Sequence, residues 1–190
     1  MEGKANCQGY ADLFFLLGTI AGYQIDYLSG WVNTKEGAHI WNTIYLNRKF
    51  YLVDVTAGDS EDSWPHHPTH TFFNIGRDRL PKDRLAWYAD VRYEDISATT
   101  DNSLSYFSNA GLDFGYATSD VGDAMNYLIW KRQNGVEFGE VMILNRTVSP
   151  EDVNNAMIKA VRPSHPRSAW TYDVSHQNGN TIVWLRWDQF

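Results

Sequence analysis

Two runs rich in β-branched and aromatic residues, His39 to Leu46 and Lys49 to Val55, are separated only by Asn47-Arg48, and no feature of the chain constrains its fold more. So short a connection turns the second run back on the first as an antiparallel pair, because a parallel pair needs a crossover of about a dozen residues. The pairing has a parity. A loop of two or four residues sets Trp41 opposite Asp54 and His39 opposite Thr56, which puts His39 and Asp54 on one face as diagonal neighbours. A loop of three residues puts them on opposite faces. A two-residue type I′ loop asks for positive φ at both Asn47 and Arg48, which arginine disfavours; a four-residue loop keeps the parity without that demand.

The flanking sequence supplies a helix and a third strand. Apolar residues at Tyr10, Phe14, Leu17 and Ala21, widened by Leu13 and Ile20, follow a helical period, with Asn6 as cap and Gly22 as terminator. Ile25, Tyr27, Ser29 and Trp31 alternate as in a strand. After Val55 come a loop rich in proline and histidine from Ala57 to Thr71, a short apolar piece at Phe72-Phe73, and an expected strand near Ala89 to Tyr93. The polar stretch 97–111 reads as a linker, so the expected domains are 1–96 and 112–190. The second holds a helix from Ser119 to Gln133, a strand from Phe138 to Leu144, a helix from Pro150 to Val161 opened by Ser149, and strands Ser168 to His176 and Thr181 to Trp187 joined at Asn178-Gly179. It is a small α+β unit whose role the residues do not specify.

Composition narrows the function. A hydrophobic share of 43% supports a core, and a net charge of −7 disfavours nucleic acid, whose binding depends on neutralising phosphates. The run Leu13 to Leu17 is too short to cross a bilayer and has no cleavage site after it, so no membrane insertion and no signal peptide are expected. One cysteine in 190 residues excludes an internal disulfide framework and any multi-cysteine metal site. Capped by Asn6, Cys7 falls in the first helical turn, where unpaired N–H groups and the macrodipole favour a thiolate; a cysteine there either packs or reacts. Reaction requires a base. With His39 and Asp54 on one face, the carboxylate accepts one ring proton and leaves the other nitrogen for the thiol; a hydrogen-bonded strand histidine beside a turn-forming aspartate is the plainer alternative.

The runs Gly3-Lys4-Ala5-Asn6-Cys7-Gln8-Gly9-Tyr10-Ala11, Ala38-His39-Ile40-Trp41-Asn42 and Phe50-Tyr51-Leu52-Val53-Asp54-Val55-Thr56 resemble, in order and spacing, the core motifs of the transglutaminase-like superfamily. Phe72-Phe73-Asn74-Ile75 is similar to the segment that often follows the aspartate, so the resemblance covers roughly residues 3 to 80. It implies a papain-like α+β fold, with a cysteine-bearing helix packed on an antiparallel sheet. It implies Cys7 as nucleophile, His39 as base and Asp54 as orienting acid. The implied chemistry is a thioester formed from a carboxamide or peptide bond, with no cofactor, and the implied partner is a peptide or protein substrate. Hydrolysis is expected over crosslinking, since nothing specifies an amine acceptor. Gln8 is a candidate oxyanion donor beside the N–H of Cys7, and Trp41 a candidate wall of the cleft. Family members carry a substantial segment before the cysteine, whereas six residues precede it here. The chain is therefore expected to belong to a longer, secreted or cell-surface protein rather than a cytoplasmic one, and the alternative function is a non-catalytic binding or scaffold module of such a protein.

Other constellations are weaker. His66, His67 and His70, near Asp59, Glu61 and Asp62, could hold a transition metal, but Pro65 and Pro68 prevent helical presentation and no metal is expected. The acids lack the ligand alternation of a calcium loop. Asn145-Arg146-Thr147 fits a glycosylation sequon. Trp170, Trp184 and Trp187 would form a binding platform if exposed, though strand tryptophans usually face a core.

Overall fold

The computed structural model describes residues 5–32, 37–59, 69–79 and 99–190, and these form an α+β protein of two compact units. Among the described residues the first unit takes 5–59, 69–79 and 99–105, and the second takes 106–190. The expected strand at Ala89 to Tyr93 lies outside the described residues.

The first unit opens with helix α1 (Cys7–Ile20), whose start is fixed by the Asn6 side chain accepting from the Gly9 amide at 3.1 Å. Its end is fixed by Gly22, which takes φ 88° while the amide of Tyr23 donates back to the carbonyl of Gly18 at 2.9 Å. An antiparallel sheet in the order β1 (Gln24–Val32), β2 (Gly37–Leu46), β3 (Lys49–Val53) follows. The β2–β3 loop is the two-residue turn Asn47-Arg48, with φ of 50° and 65°, and not a four-residue loop. Arginine therefore accepts the left-handed region here, because Leu46 pairs with Lys49 and leaves only two residues to reverse the chain.

Alternation divides the sheet into two faces. Ile25, Ile44, Tyr51 and Val53 form a cluster with Phe14 and Phe15 of α1. Phe15 stacks on Tyr27 with ring centres 4.8 Å apart, and Gly18 lies so close to Ile25 that an added Cβ would meet its side chain at 2.7 Å. The buried Asn42 amide donates to the carbonyl of Ala11 at 3.2 Å, joining helix to sheet at mid-length. The other face carries Leu28, Trp41 and Leu52, packed with Phe72 and Ile75. Beyond β3, Leu52 and Ile75 exchange backbone hydrogen bonds of 2.9 and 3.1 Å, so segment 72–75 covers part of that strand's free edge. Residues 99–105 lie with this unit: Thr99 donates its amide to Phe50, and Asp101 pairs with Lys49 at 2.7 Å. The outer side of α1 leaves Leu13, Leu16, Leu17 and Ile20 exposed.

The second unit has a four-stranded sheet in the order β4 (Tyr116–Thr118), β5 (Phe138–Ile143), β7 (Asn180–Gln189), β6 (Ala169–Gln177). Helix α2 (Val121–Gln133) links the parallel pair β4 and β5, and α3 (Pro150–Val161) precedes the β6–β7 hairpin. Ser149 caps α3 by accepting the Asp152 amide at 3.1 Å, with Pro150 in the first turn. Asn178 and Gly179 turn the hairpin at φ 50° and 76°. The core joins Ala124, Met125 and Leu128 of α2 to Val153 and Met157 of α3 across Val141, Ile143, Val183 and Leu185. Three-residue β4 was not anticipated, being too short to show a period. Trp184 and Trp187 are buried and Trp170 is half-buried with its ring edge-on to Trp187, so these residues build a core rather than an open platform. No helix among the described residues is long and apolar enough to cross a membrane.

Candidate active site

Each candidate side chain owes its place to a backbone rule. In β2, His39 and Trp41 are two residues apart and share a face, and the same face carries Leu52 in β3 and, one residue past the strand's end, Asp54. The register pairs Asn42 with Val53, so Asp54 falls opposite Trp41 and diagonal to His39. The diagonal is closed by a hydrogen bond: Nε2 of His39 and Oδ2 of Asp54 are 2.9 Å apart. A carboxylate oxygen accepts, so the neutral ring that fits this bond is the one that donates from Nε2 and keeps Nδ1 as its acceptor. Asp54 is buried, and its other oxygen, Oδ1, accepts the Ala57 amide at 3.1 Å, which holds the carboxylate against the 3-10 turn Thr56–Gly58. The indole of Trp41 stacks on the imidazole at 5.4 Å and 26°, and is itself 4% exposed. The ring of His39 is therefore held by a carboxylate at one edge and an indole on one face.

Cys7 is the first residue of α1 and is half-buried. The pairings of Ala11 with Asn42 and of Gly18 with Ile25, itself opposite Ile44, run α1 alongside β2 in the same direction. The helix thus opens at the His39 end of β2. It packs on the Asn42 and Ile44 face, whereas the imidazole issues from the Trp41 face. Among the described residues no hydrogen bond reaches the Cys7 sulfur, so the structure joins His39 to Asp54 and leaves the thiol at the same end of the sheet, unbonded.

Gln8 is exposed, and its side-chain amide donates to Asp12 Oδ1 at 2.7 Å, one helical turn on. With Gly9 capped by Asn6, and Tyr10 bonded to the carbonyl of Asn6, the backbone amides of Cys7 and Gln8 remain without a partner among the described residues. Tyr10 was not singled out from the sequence; its hydroxyl donates to Oδ2 of Asp59, just after the Thr56–Gly58 turn. Of the three clustered histidines, His66 and His67 lie outside the described residues, and His70 sits edge-on to Phe73 at 6.3 Å. Among the described residues no group of three metal-ligating side chains is found.

A helix opening on a cysteine, packed on an antiparallel sheet that pairs a histidine with an aspartate, defines a transglutaminase-like α+β core. Residues 1–55 match the family model of the transglutaminase-like superfamily. The kyphoscoliosis peptidases of Mus musculus and Homo sapiens are similar to this chain, each 37% identical over 65 residues that make up 29% of this chain and 10% of the relative. The chain therefore matches about a tenth of the length of these relatives.

Proposed function

We propose that the amino-terminal unit performs thiol-dependent acyl transfer on a peptide or protein substrate, with Cys7 as nucleophile, His39 as base and Asp54 as orienting acid. The observation that carries this reading is the 2.9 Å bond from His39 Nε2 to Asp54, which leaves Nδ1 as the proton acceptor at the end of the sheet where Cys7 begins its helix. Nδ1 takes the thiol proton, and the thiolate attacks the carbonyl carbon of a carboxamide or peptide bond. The tetrahedral oxyanion is met by the partnerless amides of Cys7 and Gln8, a backbone role for Gln8 in place of its side chain, which Asp12 holds. The imidazolium returns its proton to the leaving nitrogen, ammonia or an amine departs, and a thioester on Cys7 remains. Water then releases the acid. Hydrolysis is favoured over transfer to an amine because the similar relatives are named peptidases.

A sulfur without a hydrogen bond is compatible with this chemistry, since nucleophile and base often draw together only around a substrate. The same observation supports a second reading, a non-catalytic binding module of a larger protein. Alkylation of Cys7 by iodoacetamide across pH separates the two. An activated thiol reacts at a pH well below the ordinary thiol range, and His39→Ala abolishes that advantage; a wild-type rate that follows an ordinary thiol and ignores His39→Ala removes the enzyme reading.

A further inference from the structure

The triad just proposed is divided between two elements: Cys7 belongs to a helix, His39 and Asp54 to a sheet. Their separation depends on what ties helix to sheet near the thiol. Asn42 binds the carbonyl of Ala11, a full turn further along. Closer to the thiol stands Tyr10, three residues after Cys7 and so on the adjoining strip of helix surface. Its hydroxyl donates to Oδ2 of Asp59. Asp59 in turn closes the 3-10 turn that anchors the orienting acid: its amide donates to the carbonyl of Thr56 at 3.1 Å, while the Ala57 amide within that turn holds Oδ1 of Asp54. A continuous path of bonded groups thus runs from the nucleophile's helical turn through Tyr10, Asp59 and the turn to Asp54, and from Asp54 to the imidazole.

We infer that the Tyr10–Asp59 hydrogen bond is the device that sets the distance between the Cys7 thiol and the His39–Asp54 pair, which makes Tyr10 and Asp59 positioning residues; the inference rests on the triad reading. Neither group needs to touch substrate. A phenol suits the task because its rigid ring holds a donor well beyond the helix surface with only two rotatable bonds. Phenylalanine keeps the ring and its packing but loses the link. Asparagine at 59 keeps an acceptor oxygen, so the link survives the loss of charge; alanine at 59 abolishes it.

The test is the pH profile of Cys7 alkylation by iodoacetamide in the full chain, measured for wild type, His39→Ala, Tyr10→Phe, Asp59→Asn and Asp59→Ala, with urea midpoints to check that each variant is folded. Tyr10→Phe and Asp59→Ala are expected to lower the rate on the acid side by about tenfold, with little change in midpoint. Asp59→Asn is expected to retain the wild-type profile. A wild-type profile in Tyr10→Phe, alongside a shifted one in His39→Ala, overturns the positioning role and leaves the triad standing. A profile that His39→Ala does not move overturns the triad and this inference together.

Discussion

Asp54 divides its two carboxylate oxygens between different tasks: Oδ2 holds the ring of His39 at 2.9 Å, and Oδ1 holds the Ala57 amide at 3.1 Å. The two tasks separate under substitution. Asp54→Asn keeps an oxygen for Ala57 but presents an N–H to the imidazole, which forces the ring proton onto Nδ1, the nitrogen that must accept from the thiol. Reactivity of Cys7 toward a peptide-based electrophile should fall by roughly three orders of magnitude, with stability changed by no more than ~0.5 kcal/mol. Asp54→Ala should show the same loss and also cost about 1 kcal/mol for the lost amide bond. Reaction rates and urea midpoints of the pair of variants check this.

Asn42 is buried and bonds the carbonyl of Ala11 from β2. Removing its amide in Asn42→Ala leaves the Ala11 carbonyl with its intrahelical partner alone and opens a cavity, which should destabilise the first unit by about 2 kcal/mol. Hydrogen exchange of the α1 amides reads the effect; protection equal to wild type would show that helix and sheet do not depend on this bond.

Arg48 takes a left-handed φ of 65° in a two-residue turn. Glycine adopts that conformation without the Cβ penalty, so Arg48→Gly should raise stability by about 0.5 to 1 kcal/mol and leave thiol reactivity unchanged. A fall in stability in thermal melts would mean that the arginine side chain contributes more than its backbone costs.

Asp101 accepts from Lys49 at 2.7 Å, from the Ser103 amide at 2.8 Å and from the Tyr51 hydroxyl at 3.0 Å. The Lys49 ammonium foremost, then the Ser103 amide, hold its carboxyl well below the usual aspartate range. At acid pH the unfolded chain therefore binds the proton that the folded chain refuses, and stability falls as pH falls. The contribution is complete above the ordinary aspartate range and is lost progressively through and below it. Asp101→Asn should flatten that part of the stability profile, and salt should weaken it, since both partners are partly exposed. Urea midpoints along an acid titration, with and without added salt, test both statements.

Local chemistry made much of this legible in advance. Asn6 before Cys7, Ser149 before Pro150 and Asn178-Gly179 each mark a boundary that the backbone respects, and the parity of the β2–β3 hairpin brought His39 and Asp54 together without any view of the fold. Loop length at Asn47-Arg48 stays open in the sequence between two and four residues, because the conformational preference of one residue argues against the shorter turn while pairing of the whole strand decides it. The Tyr10–Asp59 bond joins residues 49 apart, and no local spacing signals such a contact. Strand β4 has three residues and pairs in parallel through α2, so its evidence lies in tertiary packing alone.

Gly18 settles near Ile25 at a distance that no side chain bearing a Cβ could share without displacement. With Asn42 pinning Ala11, α1 behaves as a beam on a fulcrum: one arm runs seven residues to Gly18, the other four residues back to Cys7. At 1.5 Å of rise per residue the arms measure about 10 and about 6 Å. A methyl group at Gly18 would meet the Ile25 side chain, and any lift of that end would pass along the helix to the Cys7 end in the opposite sense. The absent side chain of a glycine at the remote end of the helix thus seats α1 on β1, and bears on the sulfur's position together with the Tyr10–Asp59 bond.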